Sequence, residues 1–296
     1  MGFIYSSNQD IPYFLSRSVL EAVNEMKSKI DETNVELMEI CKIINPHEYV
    51  FSSVSENGVP TLAVSKITPP SNFYYELREI INSFGLLRMV YSSVLYLSES
   101  VDNTMQLLFN SSTRIFTEKC ICAQQYEPVD IIIIDSSTDV VPYIGLVLST
   151  LNNDSPLIIK ISNITNKDSI HMLFLLSTVF EKVYMVKPSV ANIMSDDIFI
   201  VCISLLENYK DYIDVNLNMI EIPLIFLSKI EEFNSINGHM QLDAYEQVFN
   251  ILYNKNKWTK MDTLKKSNIQ KSQSWCDKNN VPYNKLGDKV NIFLHT

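Results

Sequence analysis

The stretch Asp130-Ile131-Ile132-Ile133-Ile134-Asp135 decides the fold. Four β-branched residues in a row show neither the two-residue alternation of a half-buried strand nor the spacing of an amphipathic helix. Such a run suits a parallel strand buried on both faces, with a polar residue marking each end. Upstream, Val94–Leu97 is a short β-rich run followed by a helical pattern through Met105–Phe109. Downstream the pattern predicts a helix over Val141–Leu151, a strand over Leu157–Ile161, a helix over Ser169–Phe180, and strands over Val183–Val186 and Ile198–Ile203. Strands alternating with helices imply right-handed crossovers and a doubly wound α/β sheet.

The flanks read differently. From Phe14 to Ile44 apolar residues recur at helical spacing, which predicts one or two amphipathic helices. A polar turn at Asn57-Gly58 precedes a short strand near Thr61–Val64. Pro69-Pro70-Ser71-Asn72 then opens a helix to about Phe84, with Ser71 or Asn72 as its N-cap. From Ile222 onward the chain reads as helical. The expected division is a helical segment over 1–90, an α/β core over 91–222 and a helical, lysine-rich extension over 223–296.

Composition narrows the classes. At 46% hydrophobic and 20% charged residues, the chain suits a folded protein with one substantial core. No apolar run approaches a membrane span, and the opening residues lack the basic-then-apolar form of a secretory signal. Five cysteines without a CxxC pair, and four scattered histidines, predict buried thiols in a reducing compartment and no metal site. A net charge of −10 argues against a general grip on nucleic acid and suits docking to a basic partner. Against that trend, nine lysines stand against three aspartates between Lys255 and Lys289. A solvated helical face is one reading, and a patch for RNA phosphates or an acidic partner is the other.

In open α/β sheets the chemistry collects at the carboxyl ends of the parallel strands. Asp135 follows the isoleucine run, Lys160 sits inside Pro-Leu-Ile-Ile-Lys-Ile, and Asp197 precedes Ile198–Ile203. Asp197 reaches the same edge only if its strand runs antiparallel to the others. A lysine within an apolar strand calls for a partner, because lysine is almost never buried unpaired.

The segment 157–204 carries Phe180-Glu181-Lys182-Val183-Tyr184, Lys187-Pro188-Ser189 and Asp197-Ile198-Phe199-Ile200-Val201-Cys202. With Asn45-Pro46-His47-Glu48-Tyr49, Ser65-Lys66-Ile67 and Pro70-Ser71-Asn72-Phe73-Tyr74 upstream, and Ser274-Trp275-Cys276 to Pro282 downstream, it resembles the viral branch of the FtsJ-type RNA 2'-O-methyltransferases. The resemblance implies a Rossmann-like class I methyltransferase fold with helical additions at both ends. It also implies a Lys-Asp-Lys-Glu tetrad, carried here by Lys66, Asp135, Lys160 and, in place of glutamate, Asp197. Such a tetrad steers the proton of a weakly nucleophilic ribose hydroxyl. Free lysine, with a pKa of about 10.4, needs its surroundings to act as a base at neutral pH. Lys187, Lys257, Lys260, Lys265 and Lys266 are the expected RNA contacts.

The chain departs from the family where S-adenosylmethionine would bind. A turn of the form Glu-Gly-Pro-Gly-Gly-Phe is expected after the Val94–Leu97 strand, but this chain reads Ser98-Glu99-Ser100-Val101-Asp102-Asn103-Thr104. Glycines there let the backbone approach the cofactor, and Ser98, Glu99, Ser100, Asp102 and Asn103 put side chains in their place. The segment between this loop and Asp135 also looks too short for the strand whose terminal acid holds the cofactor ribose. Asn152-Asn153-Asp154 replaces the glycine pair expected before the lysine strand. The implied protein is therefore a catalytically silent relative that binds no cofactor. It would serve as a protein subunit of an RNA-capping, methylating or polyadenylating complex in a host cytoplasm or virion. It is similar in kind to the small stimulatory subunit of the poxviral mRNA capping enzyme. The alternatives are an active S-adenosylmethionine-dependent cap 2'-O-methyltransferase and a module that binds capped RNA.

Overall fold

In a computed structural model of the chain, the described residues are 17–30, 33–53, 55–56, 59–60, 63–86, 91–98, 103–118, 127–135, 144–152, 155–162, 164–207 and 221–284. They divide into two compact units: one of residues 1–21, 88–188 and 196–239, the other of residues 22–87, 189–195 and 240–296. The N-terminal helical pattern resolves into α1 (Arg17–Ser28) and α2 (Val35–Ile44), with the Asn34 side chain accepting from Leu37 N at the start of α2.

The first unit is built on a sheet of β3 (Ser93–Leu97), β4 (Arg114–Glu118), β5 (Ile131–Ile134), β6 (Leu157–Ser162), β7 (Phe180–Val186) and β8 (Asp197–Leu205). They lie in the order β4-β3-β5-β6-β8-β7. β4, β3, β5 and β6 are mutually parallel, whereas β8 runs antiparallel to β6 and to β7. β8 is thus inserted, reversed, between two strands that share one direction. This is the expected Rossmann-like α/β sheet, of the class I methyltransferase kind, with helical additions before and after it.

Burial explains the isoleucine run. Ile131, Ile132, Ile133 and Ile134 are all 0% exposed. On one face Leu95, Leu97, Ile132, Ile134, Leu157, Ile159 and Ile200 pack with α5 (Ile144–Thr150), α6 (Lys167–Val179) and the first part of α7 (Leu224–Leu252). Asn166 caps α6, its Oδ1 accepting from Ser169 N at 2.7 Å. α6 stops at Val179, and Phe180, expected in the helix, is already extended and begins β7.

The second unit holds α3 (Phe73–Ser83), α8 (Lys257–Lys278) and an apolar cluster that includes Leu37, Ile40, Ile43, Val248, Ile251 and Met261. Glu79 ties its parts together, accepting from Trp275 Nε1 at 2.7 Å, Ser189 N at 2.9 Å, Ser189 Oγ at 3.0 Å and Val190 N at 3.1 Å. Two expectations fail here. Residues 63–64 are not strand, because Val64 N donates to Tyr49 O; the pairing falls instead on the short hairpin β1 (Ser55–Glu56) and β2 (Val59–Pro60) and an isolated Ser65–Tyr283 bridge. Asn72 does precede α3, but its backbone is helical and its amide donates to Val190 O rather than capping.

Cys41, Cys202 and Cys276 are buried thiols, and burial pushes Cys276 up to about 12, far from a reactive thiolate. Cys120 and Cys122 lie outside the described residues. Among the described residues no helix is long and apolar enough to cross a membrane, and no His, Cys, Asp and Glu group could hold a metal ion.

Candidate functional site

The sheet register assembles the site. Ile134 pairs with both Leu97 and Ile159, so Asp135 lies one step beyond, level with Ser98 on one side and Lys160 on the other. Asp135 N donates to Leu97 O at 2.9 Å, which continues the ladder past the end of β5. Because β8 is reversed, its first residue, Asp197, meets the C-terminal end of β6 and registers opposite Ser162. The condition set for Asp197 is therefore met, and Ser98, Asp135, Lys160 and Asp197 gather along the C-terminal edge of the sheet.

The lysine within the apolar strand has its partner. Lys160 Nζ lies 3.3 Å from Asp197 Oδ2, and the two side chains are 12% and 33% exposed. The Lys160 ammonium also sits 5.8 Å from the centroid of the Phe199 ring. Ser98 is 0% exposed, and its Oγ stands 3.5 Å from Asp135 Oδ2. An amine fixed between strand ends, with a carboxylate beside it, is an arrangement that can orient a hydroxyl and its proton.

Other expected residues are distributed as follows. Lys66 belongs to the second unit, where it is exposed and its backbone N–H donates to Pro282 O at 2.8 Å. Of the degenerate loop, Glu99, Ser100 and Asp102 lie outside the described residues, and Asn103 is the exposed residue before α4 (Thr104–Leu108). Lys187 directly follows β7 and is half-buried. In α8, Lys260 and Lys266 are exposed and Lys265 is half-buried. Lys257 is engaged within the protein, its Nζ 2.6 Å from the Glu36 carboxylate.

One element was missed. The segment between Thr104 and Asp135 is long enough for a strand after all: β4 pairs in parallel with β3 over all five residues and ends on Glu118, opposite Leu97. Its sequence, Arg-Ile-Phe-Thr-Glu, hid it. β4 is an edge strand whose Ile115, Phe116 and Thr117 are only half-buried, so no apolar run marks it. The available signal was the short β-branched and aromatic stretch closed by an acid, the same form as Ile131–Asp135.

Comparison with known proteins places the chain among distant likenesses. No family profile matches the sequence. An uncharacterized protein of Acanthamoeba polyphaga mimivirus is 20% identical over 230 residues, covering 74% of this chain and 56% of that protein. The chain thus spans little more than half the length of this viral relative. Among solved structures, a Haemonchus contortus phosphoethanolamine N-methyltransferase with bound S-adenosylhomocysteine has a TM-score of 0.36 at 17% identity, over 47% of this chain and 42% of that one. A ribosomal RNA methyltransferase of Plasmodium falciparum has a TM-score of 0.34 at 14% identity, over 46% of this chain and 98% of that one. Human methyltransferase-like protein 13 with bound S-adenosylhomocysteine has 0.31 at 12%, over 57% and 93%. The fold assignment rests on strand order and direction rather than on these scores.

Proposed function

We propose that the chain is a degenerate methyltransferase-fold protein of viral mRNA cap processing, retained as a non-catalytic subunit that supports a capping, methylating or polyadenylating partner. The observation that carries this reading is Ser98. Its buried side chain occupies the first position after β3, beside Asp135, and no glycine follows before Met105. Backbone approach to a nucleoside at that strand end needs a turn free of side chains. The acidic balance of the chain suits a basic partner.

The residues present fit S-adenosylmethionine only in part. The residue that closes β4 is a glutamate, Glu118, and an acid at this strand end is what the resemblance implies for the cofactor ribose; this favours the second reading, an active cap 2'-O-methyltransferase. In that case the cofactor supplies the methyl group, while Lys160, held beside Asp197, orients the ribose hydroxyl.

Calorimetric titration of S-adenosylmethionine into the full chain separates the two. The subunit reading expects no binding heat, and micromolar binding overturns it in favour of the enzyme. Affinity purification from infected cells tests the partner: a stoichiometric companion protein is expected, and recovery of the chain alone counts against the subunit.

A further inference from the structure

The turn between α7 and α8 combines features that the sheet edge does not use. Tyr253 is 79% exposed and Trp258 is 61% exposed, although aromatic rings of this size are normally drawn into a core. Neither ring is loose. The Tyr253 ring is stacked on Phe249 at 6.4 Å with an interplanar angle of 16°, so a flat face is held outward. Trp258 has the Lys257 ammonium 5.6 Å from its centroid, and Lys257 is itself pinned to Glu36. The turn joining the two rings is fixed by Asn254, whose side chain accepts from Asn256 N at 2.8 Å and whose carbonyl accepts from Lys257 N at 3.2 Å.

The segment that carries these rings is basic, and Glu36, which reaches it from α2, is paired with Lys257. Lys255 and Lys260 are exposed, and no acidic residue occurs between Gln247 and Met261. Over residues 253–278 seven lysines face two aspartates, in a chain whose net charge is −10. Pre-oriented aromatic faces interleaved with lysines match a strand of nucleic acid: any unpaired base has a π-face to stack, and each linkage carries a phosphate. An acidic protein surface would also engage the lysines and could cover the rings, but it lacks the alternation of flat base and phosphate that interleaved rings and lysines match.

We propose that the α7–α8 corner is a binding site for single-stranded nucleic acid, with bases stacked on Tyr253 and Trp258 and phosphates held by Lys255 and Lys260. The site lies within the second unit and does not depend on how the sheet edge is read. The −10 net charge confines the contact to this corner, so the affinity is modest and falls steeply with salt.

The test uses the full chain and a labelled oligouridylate of about twelve nucleotides. Saturable binding is expected at low ionic strength, accompanied by quenching of tryptophan emission. Trp258 is the accessible reporter, since the other tryptophan, Trp275, is 3% exposed. A Tyr253→Ala/Trp258→Ala variant should lose at least about tenfold in affinity, in keeping with the loss of two stacking platforms. A Lys255→Glu/Lys260→Glu variant should also weaken binding and flatten its salt dependence; it provides the test should the aromatic variant fail to fold. The proposal is overturned by absence of binding at low salt, by unchanged affinity in both variants, by quenching with anionic phospholipid vesicles but not with RNA, or by self-association through this corner. None of these outcomes alters the calorimetry with S-adenosylmethionine, so the two readings fail separately.

Discussion

Two aspartates bound the same four isoleucines, and they do different work. At the start of β5, Asp130 Oδ2 accepts from Ser92 N at 2.7 Å and Ser93 N at 3.1 Å, while Oδ1 accepts from Asn152 Nδ2 at 2.8 Å. That carboxylate binds the entry to β3 and the turn before β6 to one point. At the other end, Asp135 meets the Ser98 hydroxyl at 3.5 Å and stands in line with Lys160 and Asp197. The first is held by short bonds from backbone amides that need an acceptor. The second sits in a row of polar side chains at the edge where α/β sheets do their chemistry. Residue type and neighbouring sequence are alike; what differs is which strand ends surround each carboxylate.

The largest expected effect tests that contrast directly. Asp130→Ala leaves the Ser92 and Ser93 amides without their acceptor and should lower stability by about 2 kcal/mol, whereas Asp135→Ala should cost less. Urea denaturation of both variants measures the difference, and equal losses would erase the distinction. The same carboxylate gives an acid limb. Burial works to raise the pKa of Asp130, but the hydrogen bonds from Ser92, Ser93 and Asn152 outweigh it and hold the group below its ordinary 3.8. A depressed folded-state value means that the stabilisation is complete above the unfolded value and is lost as pH falls through the folded one. Stability should therefore decline with added slope below about pH 4, and Asp130→Asn should flatten that slope.

A smaller effect, of opposite sign, belongs to the other end. Lys160 is 12% exposed and lies against the Phe199 ring. Its desolvation opposes the gain from Asp197, which at 33% exposure retains access to water. Lys160→Met keeps the length and removes the charge, so thermal denaturation should show a change near zero or a gain of up to about 1 kcal/mol. A loss above about 2 kcal/mol would make Lys160 a structural residue and remove the reason for calling that edge a site.

The sheet was legible wherever burial on both faces forced an apolar run, as in residues 131–134, 157–159 and 198–202. It was illegible in β4, whose edge position leaves Ile115, Phe116 and Thr117 half-buried and Arg114 exposed, so Arg114 and Thr117 break the pattern. The site followed the same rule. Lys160 stood out because an apolar run makes a charge conspicuous, and Asp197 could be placed once the strand was seen to be reversed. Glu118 went unnoticed because its strand did. The aromatic corner was legible only as a lysine-rich tail: nothing in the spacing of Tyr253 and Trp258 distinguishes exposed rings from core ones, since that depends on which faces of α7 and α8 are covered.

The smallest effect asks whether the hydrogen bonds at the two strand ends differ as much as their distances suggest. Asn152→Ala removes a 2.8 Å bond to an ionised carboxylate and should cost about 1 kcal/mol. Ser98→Ala removes a hydroxyl whose contact with Asp135, at 3.5 Å, is at the limit of a hydrogen bond; loss of that contact is expected to cost less than the loss at Asn152. Both replacements leave Cβ in place, so packing of the strand ends is little changed. If Ser98→Ala instead costs as much as Asn152→Ala, Ser98 is bonded as firmly as the groups around Asp130. The C-terminal edge would then be a second structural clamp, and Ser98 would be there to hold the fold rather than to replace a cofactor turn.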